Sequence, residues 1–495
     1  MRRTGGADAA NTANTARAAE VKDAGSRKQN FRHVSTLVGG TVTAQAVTII
    51  AAPLLTRLYS PHAFGLLGIF IALLMLLTVV MSLRYEQAIP LPEDDREAGA
   101  LLLLSMGLAM LMAVLISAPL VWFGDEFARL LNAPDLAAHF YLVPLGGLLA
   151  GGYNILQSWA VRTREFGALA ATRLSQSLTC TAIQAGASML GPGALLIGQA
   201  AGGGMGLGSL GWRTVRPRLG LLASIRWPDI AAAARRYRRF PLFSSWAALF
   251  NTIGSQLPPL LFAALFDPVV AGMYGLANRV LSMPMLVLGK SVANVFLSGA
   301  AQAWREGRFG ARVAEVHGRL AQIGMPPALT LALVGPQLFA WVFGAEWRDA
   351  GVIAQWLSPW LYLVFVTSPL SAAFDVLGRQ AAGLNFQLLL LGVRASAIAF
   401  GAWEGDATLA IMLFALGSGL CWSGQLFWIL RESGSPGRAI RIAVATALGW
   451  SLLLNSPLVA VLVWGGMAAA WPYAVGAVAA LAALRYAMLI RSALR

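Results

Sequence analysis

Fourteen apolar runs of membrane-crossing length follow one another along these 495 residues, and they constrain the chain more than any motif in it. A helix crosses hydrocarbon with about 20 mostly apolar residues, because each residue rises about 1.5 Å and no water is there to satisfy an open backbone. The runs are 34–56, 65–83, 98–123, 138–159, 167–190, 192–212, 241–265, 270–298, 318–343, 350–374, 381–402, 408–430, 440–464 and 469–490. Gly191-Pro192-Gly193 turns the chain between the fifth and sixth, and the long eighth is expected to kink at Pro284. The expected fold is an all-α polytopic membrane protein of about fourteen spans. Residues 1–32 are polar, Ala-rich and basic, without the pattern of a cleaved signal peptide, and read as a disordered tail.

Hydrophobic residues make up 57% of the chain and charged residues 12%, about half the charged fraction of a soluble domain. Both a water-soluble enzyme and a disordered chain are excluded. The formal net charge of +15 would suggest nucleic acid in a soluble protein. Here, if the N-terminus is cytoplasmic, 30 of the 37 Lys and Arg fall on cytoplasmic segments. Arg57, Arg129 and Arg348 fall on the other side, and Arg173, Arg279, Lys290 and Arg394 fall within spans. The positive-inside bias accounts for the charge without nucleic acid and places both termini in the cytoplasm. Cys180 and Cys421 lie in apolar runs, so neither a disulfide framework nor a metal pair is expected. Gly289-Lys290-Ser291 lacks the upstream glycine of a phosphate-binding loop. No catalytic, cofactor or metal motif is present. Trp122, Trp212, Trp341, Trp347, Trp403, Trp464 and Trp471 sit near expected span ends, as interface anchors do.

The chain echoes itself. Leu58-Tyr59-Ser60-Pro61 with Gly65 and Gly68 returns 207 positions later as Leu265-Phe266-Asp267-Pro268 with Gly272 and Gly275. Phe123-Gly124-Asp125-Glu126-Phe127 returns as Phe343-Gly344-Ala345-Glu346-Trp347. These matches predict two pseudo-symmetric six-helix bundles, 33–212 and 241–430, around a cleft. Residues 213–240 would join them as a cytoplasmic basic linker with an interfacial helix facing anionic lipid. Residues 431–495, helices 13–14, would stand outside the repeat.

Pro53-Leu54-Leu55-Thr56-Arg57-Leu58-Tyr59-Ser60-Pro61 with Phe64-Gly65 resembles the first-loop motif of bacterial polysaccharide-biosynthesis flippases. Arg84-Tyr85-Glu86-Gln87-Ala88-Ile89-Pro90-Leu91-Pro92 resembles their second-helix exit, and Tyr237-Arg238-Arg239-Phe240-Pro241 their entry to helix 7. The resemblance, over most of 30–430, is to Wzx-type proteins of the multidrug/oligosaccharidyl-lipid/polysaccharide exporter superfamily. It implies a non-enzymatic inner-membrane flippase for undecaprenyl-pyrophosphate-linked oligosaccharide. Its partners would be that substrate, membrane lipids, and polysaccharide polymerase and chain-length proteins. A multidrug–cation antiporter of the same superfamily is the alternative. A membrane glycan polymerase or ligase is a third reading, disfavoured by the short outer loops.

Ionisable groups inside spans are costly and point to pathways. Arg279 lies near the middle of the eighth run, and helical spacing puts it on one face with Gly272, Gly275, Met283, Leu286 and Lys290. Arg matches phosphate oxygens with planar, paired donors. Arg394 and Arg173 are further candidates. Gln45 and Thr48 on the first run, Asn251 and Ser255 on the seventh, and Arg57 at the first loop would face the sugar. A structural explanation, interhelical hydrogen bonding, stands beside each of these. Glu86 and Asp375, near span ends, are candidates for ion coupling, with surface pairing as the ordinary alternative. The shortage of acids deep in the spans weighs against an antiporter.

Overall fold

The computed structural model describes residues 39–282, 285, 290–463 and 471–494. The 1–32 tail, Met283, Pro284, Leu286 and Trp464 lie outside them. The described residues form helices and no strand. In chain order these are α1 (Gly39–Leu58), α2 (Pro61–Met81), α3 (Asp95–Leu130), α4 (Leu142–Arg162), α5 (Phe166–Gly186) and α6 (Pro192–Thr214). There follow α7 (Trp227–Arg236), α8 (Ser245–Leu265), α9 (Pro268–Leu281), α10 (Lys290–Arg305), α11 (Phe309–Phe343) and α12 (Arg348–Thr367). The last four are α13 (Gln380–Trp403), α14 (Ala407–Glu432), α15 (Gly437–Val463) and α16 (Trp471–Leu494).

Ten stretches among the described residues are long and apolar enough to cross a membrane, and α4, α5, α6, α9 and α10 are not among them. Glycine dilutes α4 and α6. The eighth run is two helices rather than one, so neither reaches spanning length. The expected count of fourteen needs these segments as well as the ten.

Backbone contacts group the chain into two compact units. Unit 1 is the chain through Ala51, Leu73–Trp122 and His139–Thr252; unit 2 is Ala52–Ala72, Phe123–Ala138 and the chain from Ile253.

In unit 1 the core gathers Met81, Tyr153, Leu156, Trp159 and Leu210. The Trp159 indole is buried and donates to the Thr214 carbonyl at 3.2 Å, tying α4 to α6. Gly198, Gly202 and Gly206 form a small-residue stripe on α6 that lets α5 approach at Cys180 and Gln176. The basic segment after α6 is fastened by its few acids. Asp229 accepts from the Arg226 backbone and from Arg96, both at 2.9 Å, and Glu97 accepts from Arg236 at 3.0 Å. The Arg226 N–H, then Arg96, hold the Asp229 carboxyl below its ordinary pKa of 3.8.

In unit 2 the repeated turns meet. Pro61 begins α2 and Pro268 begins α9, each preset for a first helical position by its fixed φ. A Cβ on Gly65 would stand 1.8 Å from the Pro268 carbonyl oxygen, and one on Gly272 would stand 2.1 Å from the Pro61 carbonyl oxygen. Each copy's glycine thus receives the other copy's proline turn. The second repeated motif differs between its copies. Phe123–Phe127 continues inside α3, whereas Gly344, at φ 112°, ends α11 and starts a tight turn over Ala345–Trp347. That turn buries Trp347, which donates to the Thr56 carbonyl at 2.9 Å and packs edge-on to Phe64. Trp347 is therefore a core residue, not an interface anchor; Trp122, Trp212, Trp341 and Trp403 are exposed as anchors should be.

Prolines shape α11, and neighbouring helices take up what they release. A helical proline leaves the carbonyl four residues earlier without its N–H partner. Pro336 frees the Ala332 carbonyl, and Gln355 of α12 donates to it at 3.0 Å. Pro327 frees the Ile323 carbonyl, and the Tyr486 hydroxyl of α16 donates to it at 2.9 Å. Asn455 of α15, fully buried, accepts from Thr330 at 2.6 Å and donates to the Pro326 carbonyl at 3.3 Å. Gln355→Leu should then lower stability by about 1–3 kcal/mol, the cost of one stranded buried polar group. Thermal unfolding in detergent reads this, and an unchanged midpoint would refute it.

Candidate polar and cationic site within the spans

Polar residues of α1 face Arg173 and Ser177 of α5. Both sets lie in unit 1. Arg173 donates to the Thr41 hydroxyl. The Thr48 and Ser177 hydroxyls are 2.9 Å apart, and Ser177 also donates to the Ala44 carbonyl at 2.9 Å. Gln45 is half-buried on α1 between Thr41 and Thr48. The hydroxyls serve interhelical bonds, while Arg173 brings a cation that donates to a neutral hydroxyl.

Arg394, in unit 2, sits in an aromatic surround. Its guanidinium lies 5.1 Å from the Trp360 ring and 5.4 Å from the Phe414 ring, and Nε donates to Ser418 at 3.2 Å. Phe414 packs edge-on to Tyr274 at 5.9 Å and to Trp360 at 5.2 Å. Ring faces attract a guanidinium through their quadrupole, so the charge is stabilised without a carboxylate. Among the described residues no carboxylate lies within ion-pair distance of Arg173 or Arg394.

Arg279 is half-buried in the last turn of α9, where helix-end carbonyls favour a cation. The face shared by Arg279 and Lys290 supposed one continuous helix; they belong instead to α9 and α10. Lys290 opens α10, and its side chain lies outside the described residues, as do Met283 and Leu286 of that face. Asn251 and Ser255 are exposed on α8, and Arg57 is exposed in the last turn of α1.

The two acids differ. Glu86 is buried, accepts from Ser82 and lies 3.6 Å from Arg84. Its turn is strained, with Leu83 at φ 48° and Arg84 at φ 64°. The next residues staple it down: the Tyr85 hydroxyl donates to the Ala234 carbonyl of α7 at 3.0 Å, and Ser244 donates to Gln87 at 3.3 Å. Asp375 is exposed on a single helical turn, Ala373–Val376.

Sequence reasoning missed the surround of Arg394, because aromatic residues on three different helices carry no shared spacing. It also counted Arg485 among the cytoplasmic charges of the C-terminal end, although the last run, 469–490, contains it. Arg485 lies within α16, donates to Gln322 at 3.0 Å and stacks 4.2 Å from the Trp450 ring.

Residues 54–351 match the family described as "Polysaccharide biosynthesis protein". The chain is 22% identical to the succinoglycan biosynthesis transport protein ExoT of Rhizobium meliloti (strain 1021), covering 82% of each chain. Among solved structures it superposes on the lipid II flippase MurJ in an inward closed conformation with a TM-score of 0.70. Identity there is 10%, over 92% of this chain and 100% of that one. An inward-facing multidrug resistance MATE transporter of the MOP superfamily gives 0.61 at 13% identity, over 79% of this chain and 94% of that one. The fold is thus the all-helical, polytopic one of these transporters.

Proposed function

This chain belongs to the polysaccharide biosynthesis protein family, and on that premise we propose that it flips undecaprenyl-pyrophosphate-linked oligosaccharide across the bacterial inner membrane. The chain is a multi-pass membrane transporter of polysaccharide biosynthesis, not an enzyme, and a lipid-linked sugar is its general class of cargo. The cargo would be a repeat unit of O-antigen, capsule or exopolysaccharide.

One observation carries this reading. Arg394, on a helix apolar enough to cross a membrane, and Arg173, on α5, are partnered by hydroxyls and rings rather than by carboxylates. Positive charge placed among helices without a carboxylate is costly and offers a place for an anion. A lipid pyrophosphate is such an anion, whereas a cation antiporter needs an acid in that position. In the proposed mechanism, 33–212 and 241–430 act as twin six-helix bundles that rock about a cleft. Arg279, with Lys290, Arg173 or Arg394, attracts the pyrophosphate. Gln45, Thr48, Asn251, Ser255 and Arg57 offer the glycan donors and acceptors, and the prenyl tail stays in lipid. The substrate biases the rocking only by binding one state more tightly. Glu86, the buried acid of the pair, is the better coupling candidate; Asp375 is the other.

Complementation of a strain lacking its own lipid-linked-oligosaccharide flippase tests the function. Restored surface glycan supports it, and drug resistance without glycan export would transfer the chain to the antiporter reading. The topology is tested by Arg218→Cys and Asp267→Cys in a cysteine-free background. An impermeant thiol reagent added outside should reach position 267 and spare 218. The reverse pattern would invert the N-in, C-in arrangement of about fourteen spans.

A further inference from the structure

Unit 2 contains a cavity of about 470 Å³ bordered by α9, α11, α12, α15 and α16, within the roughly 300–1,000 Å³ typical of small-ligand sites. Its position follows from the Pro326-Pro327 pair, which interrupts the α11 hydrogen-bond ladder beside it. Hydrocarbon dominates its walls, among them Val280, Leu331, Leu361, Leu454 and Val478. Three of its hydroxyls already serve protein carbonyls. Thr330 lies 3.0 Å from the Pro326 carbonyl and donates to Asn455, Ser358 donates to Gln355 at 3.1 Å, and Tyr486 to Ile323 at 2.9 Å. An occupant would meet a wall suited to a hydrocarbon chain and poor in sites for a polar one.

A cation stands beside this slot. Arg485 directly precedes Tyr486, and its guanidinium donates to Gln322, two residues before the cavity-lining Gly324. Arg485 is half-buried, and among the described residues no carboxylate lies within ion-pair distance of it. Gln322 is neutral and the Trp450 face offers only a quadrupole. A guanidinium has five donors in a fork that fits phosphate oxygens. A hydrocarbon slot with a cation next to one of its lining residues has the chemistry of an anionic amphiphile.

We propose that this cavity is a binding site for an anionic phospholipid of the membrane, with one acyl chain in the slot and the headgroup phosphate on Arg485. A single cation matches a phosphodiester, whereas a pyrophosphate would call for more than one. The slot is walled by one unit, which suits a lipid that stays rather than cargo that must leave. The acyl chain fills the gap opened by the two prolines and props α15 and α16 against α11. This assignment holds whatever the transported cargo is.

The test uses delipidated full-length protein in neutral detergent and follows thermal unfolding against added phosphatidylglycerol, phosphatidylethanolamine or undecaprenyl phosphate. Phosphatidylglycerol is expected to raise the midpoint and phosphatidylethanolamine to do so weakly. Arg485→Gln keeps a side chain able to bond Gln322 but removes the charge, and should weaken the phosphatidylglycerol response about tenfold. Arg485→Lys should restore most of it. Ala482→Phe or Val475→Phe, which fill the slot, should abolish it. Equal responses to the two phospholipids, or no change on Arg485→Gln, would overturn the proposal. Undecaprenyl phosphate outcompeting phosphatidylglycerol at equal concentration would also overturn it and give the slot to the cargo's tail. Should a filled-slot variant fail to fold, native mass spectrometry decides: phosphatidylglycerol retained on wild type and lost from Arg485→Gln supports the site, and equal retention refutes it.

Discussion

Gly65→Val or Gly272→Val is expected to leave almost no folded protein, while Gly68→Ala and Gly275→Ala, in the same repeated motif, should leave normal amounts. The two pairs are indistinguishable as letters and opposite in surroundings. A Cβ at Gly65 or Gly272 falls within 2.1 Å of a backbone carbonyl oxygen, and backbone cannot rotate away as a side chain can. The helix starts at Pro61 and Pro268 would have to separate, taking the packing of Phe64 on Trp347 with them. Overpacking a core with softer neighbours costs about 1–3 kcal/mol, and this case lies at or beyond the upper end. Nothing lies within 4 Å of a Cβ at Gly68 or Gly275, and helical Gly→Ala is favourable by up to about 1 kcal/mol. Size-exclusion profiles of detergent extracts measure the difference. A monodisperse, wild-type-level peak for Gly65→Val would remove the reciprocal contact from the account of the fold.

That contact also explains why the repeat was legible. Proline and glycine record backbone demands directly, so two turns that pack into each other carry the same letters. The Phe123 and Phe343 motifs share letters too, yet Gly124 stays helical while Gly344 terminates α11. A glycine permits a turn without requiring one, and the residues after it decide. Hydropathy located most helices well: the twelfth run, expected over 408–430, is Ala407–Glu432. It read the eighth run as one helix where the described residues form α9 and α10, because average hydropathy does not tell one apolar helix from two. Pairings that depend on which helices become neighbours were invisible, such as Gln355 on the carbonyl released by Pro336.

The candidate site was legible as residue types rather than as partnerships. Thr48 read as a polar candidate on the first run, and only the fold pairs it with Ser177. Arg394 read as a mid-membrane cation, correctly placed in a helix, but its aromatic surround comes from α12 and α14 and left no trace around position 394. Arg485 was taken for a terminal charge, since an arginine near the end of the last apolar run looks the same inside or outside the membrane.

These surroundings separate the two arginines in an experiment. Arg279→Ala is expected to reduce glycan export per folded molecule by about tenfold to a hundredfold, the worth of a charge-assisted hydrogen bond of about 1.5–3 kcal/mol. Arg279→Lys should recover only part of the export, because an ammonium keeps the charge and loses the planar fork. Arg394→Met should behave differently. Its ring contacts and Ser418 bond tie α13 to α12 and α14, so cation–π loss of about 0.5–2 kcal/mol should appear first as a lower midpoint. Export would fall with the amount of folded protein. The helix-end carbonyls of α9 favour a cation at 279 whether or not substrate meets it, so stability alone cannot decide that residue's role. The decisive quantity is export per folded molecule. If it is unchanged in Arg279→Ala, the residue serves α9 and not the pyrophosphate. If it falls equally in Arg394→Met at an unchanged midpoint, the aromatic surround is part of the pathway rather than a brace beside it.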